Sequence, residues 1–118
     1  MRQVLKREHR FGKKQEHFWS VGLSRNNRLL YIELIALGRD NVVAVPTKQV
    51  FEIAVHKRAN KIIAVHNHPS GKLIPSADDK HLTESLKHGG HFLGIKLEDH
   101  LIISETKYFS FKDNGLLK

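Results

Sequence analysis

Apolar positions along this chain fall into short blocks cut by turn-forming residues. Lys61-Ile62-Ile63-Ala64-Val65 is β-branched and apolar, bounded by Asn60 upstream and by Pro69 and Gly71 downstream, and reads as a buried strand over 61–66. Residues 17–24 (HFWSVGLS) and 29–37 (LLYIELIAL) read as two more strands. Arg25-Asn26-Asn27-Arg28 between them is a hairpin turn, with asparagine able to take left-handed backbone angles. Trp19 and Phe18 open the first of these strands and read as core. Gly38 to Asn41 is a loop or bulge, and Val42 to Val45 predicts a short strand stopped by Pro46. Thr47 then caps a helix reaching about Ala59, with Val50, Phe51 and Ala54 as its apolar stripe and Asn60 as its end. A strand–helix–strand unit this compact favours a parallel, right-handed crossover. A second helix begins at Ser76, places Leu82 and Leu86 at helical spacing, and is expected to stop near His88 at Gly89-Gly90. Residues 91–97, 100–105 and 108–111 predict three short strands, with breaks at Glu98-Asp99 and Glu105-Thr106-Lys107. The class is α/β, a mixed β-sheet flanked by helices. Residues 1–15 form a basic lead-in expected to be part helical, and 16–118 a single domain.

Composition narrows this picture. The chain has 118 residues, 40% apolar and 27% charged, which suits one soluble globular domain with a modest core. No apolar stretch approaches a membrane span, and MRQVLKREHR lacks the apolar centre of a secretory signal. The absence of cysteine excludes disulfides and thiolate metal sites and fits a cytoplasmic protein. Any metal must be held by histidine and carboxylate. The net charge of +8 invites a nucleic-acid partner, because Lys and Arg displace phosphate counterions. A solvated basic surface explains it equally well. The basic residues are spread along the chain, densest from Arg2 to Lys14, and no nucleic-acid motif stands out.

The candidate chemistry lies in His66-Asn67-His68-Pro69-Ser70-Gly71 and Pro75-Ser76-Ala77-Asp78-Asp79. Period-two alternation puts His66 and His68 on one strand face. Ser76 suits an N-cap, and Asp78 and Asp79 suit a first helical turn. The helix start thus presents a carboxylate one short loop from two imidazoles. Two histidines and one carboxylate, with room left for water, form a catalytic zinc pattern. The plainer alternatives are core histidines satisfied by hydrogen bonds and a carboxylate placed by the helix dipole.

The spacing His-x-His, seven residues, Ser, two residues, Asp resembles the JAMM motif of the JAB/MPN metalloprotease superfamily. It is read here on His66, His68, Ser76 and Asp79. AVHNHPSGKLIPSADD is most similar to the bacterial RadC-like branch. Glu16-His17-Phe18, Gly94-Ile95 and Asp99-His100-Leu101-Ile102-Ile103 extend the similarity from about residue 15 to the end. The resemblance implies a JAMM/MPN (cytidine deaminase-like) fold and one Zn²⁺ per chain on His66, His68 and Asp79, with Asp78 left to solvent. Iron or another divalent ion on the same ligands is the alternative. It implies Glu16 as general base and Ser76 as the hydroxyl that steadies the metal water or the oxyanion. Glu33 is the rival base: it sits mid-strand among apolar neighbours, where burial would raise its pKa, unless it faces solvent. Asp99-His100 is expected as a structural turn or as outer support of the ligands. His9, His17, His56, His81, His88 and His91 are expected at the surface or its boundary.

The function so implied is a zinc-dependent metallopeptidase or isopeptidase on an unidentified peptide or protein. The alternatives are a DNA-associated repair or recombination accessory and a metal-stabilised, non-catalytic interaction domain. Longer RadC-like proteins carry a helix-hairpin-helix region for which these residues leave no room, which weakens a carried-over link to DNA. Gly38 is followed by Arg39 where many relatives have threonine, so that loop is expected to be rearranged. The short loops identify no protein modifier as substrate.

Overall fold

The computed structural model describes residues 15–38 and 45–118. Five strands form one sheet: β1 (Glu16–Leu23), β2 (Leu29–Gly38), β3 (Lys61–Asn67), β4 (Lys96–Ile103) and β5 (Tyr108–Ser110). Among the described residues two helices accompany them, α1 (Thr47–His56) and α2 (Ala77–Leu93). The sheet order is β2-β1-β3-β4-β5. β1 pairs antiparallel with β2 and β3, β3 pairs parallel with β4, and β5 returns antiparallel along β4. This is the mixed α/β fold expected, and it is compatible with a JAB/MPN domain.

The two faces of the sheet separate two apolar clusters. Phe18, Ile62, Ala64, Leu97 and Ile102 join Val50 and Ala54 of α1 and Leu86 of α2 in the larger one. Trp19, Val21, Val65 and Ile103 form the smaller one with Leu23, Ile63 and Leu101. Strand alternation produces this division, as adjacent residues of β1 and β3 contribute to opposite clusters. The hairpin between β1 and β2 turns at Asn27, whose φ of 64° is the left-handed conformation expected of asparagine there.

Several boundaries differ from those the sequence suggests. α1 has Pro46 at its N-cap with no side-chain cap bond, so Thr47 is its first helical residue and not its cap. The helix ends at His56, and Arg58 takes the left-handed angle, φ 59°. Asn60 instead accepts a hydrogen bond from the Arg25 amide at 2.9 Å, tying the β1–β2 turn to the start of β3. α2 does not stop at Gly89-Gly90. It runs through them to Leu93 and ends on Gly94, whose φ of 71° suits glycine. Gly90 serves close packing, since a Cβ there would run into the Ile95 carbonyl. Residues 91–93 are therefore helix, and the strand begins at Lys96.

Residues 96–103 form one strand, not two. The break expected at Glu98-Asp99 is a bulge: Ile62 pairs with Leu97 and Ile63 with Asp99, leaving Glu98 as the extra residue. Residues 1–14 of the basic lead-in, Arg39, and residues 42–44 of the predicted short strand lie outside the described residues, as does the crossover partner expected there. Val45 is not in a strand. The parallel pair seen is β3 with β4, joined through α2. No helix among the described residues is long and apolar enough to cross a membrane.

Candidate metal centre

The centre forms where β3 ends and α2 begins. β1 runs antiparallel to β3, so its first residues lie beside the last residues of β3, with Phe18 opposite His66. Glu16, two residues before Phe18, thereby reaches the same end of the sheet. His66 is still in β3, whereas His68 lies one residue past it, where Pro69 and Gly71 turn the chain. The two imidazoles nonetheless meet, with their Nε2 atoms 3.0 Å apart.

Asp79 completes the group. Its Oδ1 lies 3.1 Å from His66 Nε2 and its Oδ2 3.1 Å from His68 Nε2. One ligand atom from each of the three residues falls within 4.8 Å of the others. Asp78 is exposed at the edge of the same cleft. The Asp79 carboxylate is placed by the helix start itself. Ser76 is the N-cap: its Oγ accepts from the Asp79 amide at 3.1 Å, while Asp79 Oδ2 accepts from the Ser76 amide at 2.8 Å. This capping box satisfies two of the amides that a helix N-terminus leaves without intrahelical partners.

The outward nitrogens of both histidines are engaged. His68 Nδ1 donates to the Lys72 carbonyl at 2.8 Å. His66 Nδ1 lies 2.8 Å from His100 Nε2, and His100 Nδ1 lies 2.6 Å from Thr83 Oγ1. Both Nε2 atoms are thus left toward Asp79. An all-oxygen-and-nitrogen set of two imidazoles and one carboxylate suits zinc with one position open, so these residues fit the ion that the sequence motif implies.

Electrostatics sharpen the centre. Burial works to raise the Asp79 carboxyl, but hydrogen bonds from His66 and His68, the charge of His66 and the Ser76 amide outweigh it and hold it well below the usual carboxylate range. The hydrogen bond to Asp79 raises His68 above the ordinary imidazole value, against the effect of burial. Burial also pushes Glu16 up; His66 and His68 oppose this, and Asp79 adds to it. Glu16 is buried, at 7% exposure. His100, fully buried, is pushed down to about 3, chiefly by desolvation.

Glu16, His66, His68, Ser76 and Asp79 all line one cleft of about 470 Å³. Glu33, the rival glutamate, lines a different surface depression beside α1. Asp99 is not in a turn: its carboxylate accepts from the His100 and Lys112 amides and the Ser110 hydroxyl, fastening β4 to the segment after β5. His56, His81, His88 and His91 are exposed as expected, and His9 lies outside the described residues. His17 is buried instead, stacked on Trp19 with ring centroids 5.2 Å apart.

Two contributors escape a reading by motif. Asn67, between the two histidines and 5% exposed, accepts from the His17 amide at 2.6 Å and donates to the Gln15 carbonyl at 3.1 Å. It grips the backbone on both sides of Glu16. Thr83 is the other. Its signal was its place one helical turn after Asp79 and three residues before Leu86, a polar residue on the buried stripe of α2.

Comparison with known proteins agrees with this geometry. The chain is 40% identical over 103 residues to a UPF0758 protein of Chlorobium chlorochromatii (strain CaD3), covering 87% of this chain and 46% of that protein. It is 43% identical over 108 residues to a UPF0758 protein of Aquifex aeolicus (strain VF5), covering 92% of this chain and 47% of the relative. The chain therefore spans about half the length of the curated relatives it matches. A family model described as the RadC-like JAB domain matches residues 1–116, and the chain belongs to that family.

Proposed function

We propose that this domain is a zinc-dependent hydrolase of peptide or isopeptide bonds. The observation that carries the reading is the convergence of His66 Nε2, His68 Nε2 and the Asp79 carboxylate within 4.8 Å, in the cleft that a buried Glu16 also lines. His66, His68 and Asp79 would hold the ion. Bound there, zinc would supply Lewis acidity, acidifying a coordinated water and polarising a carbonyl.

The chain's own groups perform the remaining work. Glu16, raised by burial, is poised to take a proton from the attacking water and hand it to the departing amine. Asn67 holds the backbone on either side of that glutamate and so fixes its approach. Ser76 Oγ accepts from the Asp79 amide, which leaves its own proton free to be donated into the cleft, where charge develops on the scissile carbonyl oxygen.

The test begins with metal content. Tag-free protein, loaded with zinc and dialysed, should retain about one zinc per chain by elemental mass spectrometry. Glu16→Gln should retain that zinc and lose about 10²- to 10⁴-fold in hydrolysis across a panel of linear and isopeptide-linked substrates. Wild-type protein that keeps no metal would overturn the reading. Equal turnover by the Gln variant would remove Glu16 from its role. Zinc bound firmly with no turnover on any substrate would favour a metal-stabilised interaction domain.

A further inference from the structure

Behind His66 lies a short buried chain of polar groups. Asp79 offers its backbone carbonyl to the Thr83 hydroxyl at 2.9 Å, Thr83 Oγ1 meets His100 Nδ1 at 2.6 Å, and His100 Nε2 meets His66 Nδ1 at 2.8 Å. The circuit starts on one ligand residue and ends on another. His100 and Thr83 are 0% and 1% exposed, so water does not substitute for either partner. The His100 ring is held in plane as well. Phe111 stacks on it with centroids 4.5 Å apart and planes 10° from parallel, and Phe18 meets it edge-on at 6.4 Å.

We infer that Thr83 and His100 are positioning residues that keep a proton on His66 Nδ1, so that Nε2 is the nitrogen His66 offers to the metal. The direction follows from counting protons. Each of the three contacts holds one proton. The Asp79 carbonyl only accepts, so the single hydroxyl proton of Thr83 goes to it. Thr83 Oγ1 must then accept, which puts a proton on His100 Nδ1. A neutral His100 is left with a bare Nε2, and that atom accepts from His66 Nδ1. Reversing any link leaves a buried contact with no proton or with two. His68 reaches the same state by a simpler route, through the Lys72 carbonyl. Among the described residues no such carbonyl meets His66 Nδ1, and a threonine and a second histidine do that task instead.

This inference rests on the proposed metal site for its purpose, but not for its first test. In metal-free protein, ¹⁵N-edited imidazole spectra should show His100 as the Nδ1–H tautomer. His100 in the Nε2–H form would overturn the inference, because His66 Nδ1 would then be the acceptor. That result is independent of whether any metal binds. The second test is zinc affinity by chelator competition. Thr83→Val should weaken zinc binding about 10- to 100-fold with the fold retained by circular dichroism, and Thr83→Ser should restore it. Zinc held equally by the Val variant and wild type would overturn the inference. Wild type that binds no zinc would overturn the metal-site reading and the purpose assigned to these two residues, while the spectra would still decide the proton order.

Discussion

The two helices pack on the same apolar cluster yet start in opposite ways. α1 begins on Pro46 with no side-chain cap and no acidic residue in its first turn, and its buried residues are Val50 and Ala54. α2 begins on Ser76 in a full capping box, carries Asp78 and Asp79 in its first turn, and buries Thr83 beside Leu86 and Gly90. α1 is held by apolar contact. In α2, the groups that start the helix and satisfy its amides are also those that build the metal centre. Stability and chemistry are therefore coupled in α2 and separable in α1.

The largest expected effect is on Asp79. Asp79→Ala removes a ligand and half of the capping box together, so zinc should no longer survive dialysis. The metal-free protein should also lose about 1 kcal/mol by denaturant unfolding. Loss of zinc with no loss of stability would break the coupling.

Next comes pH. His100, beneath α2, is held at about 3 in the folded protein against about 6.5 when unfolded. Between those values the unfolded chain binds a proton that the folded chain refuses, so stability falls as pH drops from about 6.5, by up to about 1.4 kcal/mol per unit. His68 acts in the opposite sense, because its folded pKa is raised. Its contribution is complete below about 6.5 and is lost as pH rises through the raised value. Unfolding of metal-free wild type from pH 4 to 6.5 should therefore show a steeper slope than His100→Phe. Equal slopes would contradict a neutral imidazole under α2.

Val50→Ala then sharpens the contrast from the other helix. It should cost about 2 kcal/mol by leaving a cavity, with zinc affinity unchanged. The smallest effect belongs to Ser76→Ala, which should cost about 1 kcal/mol. The Ser76 amide still reaches Asp79 Oδ2 in that variant, so zinc binding should change little, as chelator competition would show.

The ligand set was legible because His66, His68, Ser76 and Asp79 are close in sequence, and a strand end, a turn and a helix cap are local structures. Glu16 was legible only by resemblance, since nothing local says that the start of β1 lies beside the end of β3. Asn67 was not legible, and Thr83 showed only as a polar residue on an apolar helix stripe. Each acts through contacts that the sheet and the helix packing create, 50 residues apart for Asn67 and His17 and 17 for Thr83 and His100. The same holds for α2. Gly89-Gly90 carries a strong stop signal, but the signal is overridden where close approach to Ile95 requires a residue without a side chain. In β4 the break in alternation at Glu98 imitates a loop.

That extra residue in β4 sets the reading frame of the rest of the strand. Leu97 lies beside Ile62 and His100 beside Ala64, all on the helix side, only because Glu98 takes up one position between them. Drawing Glu98 into regular pairing would act like a misplaced frame in a text. Every side chain from Asp99 to Ile103 would exchange front for back, delivering a carboxylate where the imidazole now sits and turning His100 away from His66. Deleting Glu98, by contrast, would close the bulge and keep Asp99 opposite Ile63 and His100 opposite Ala64.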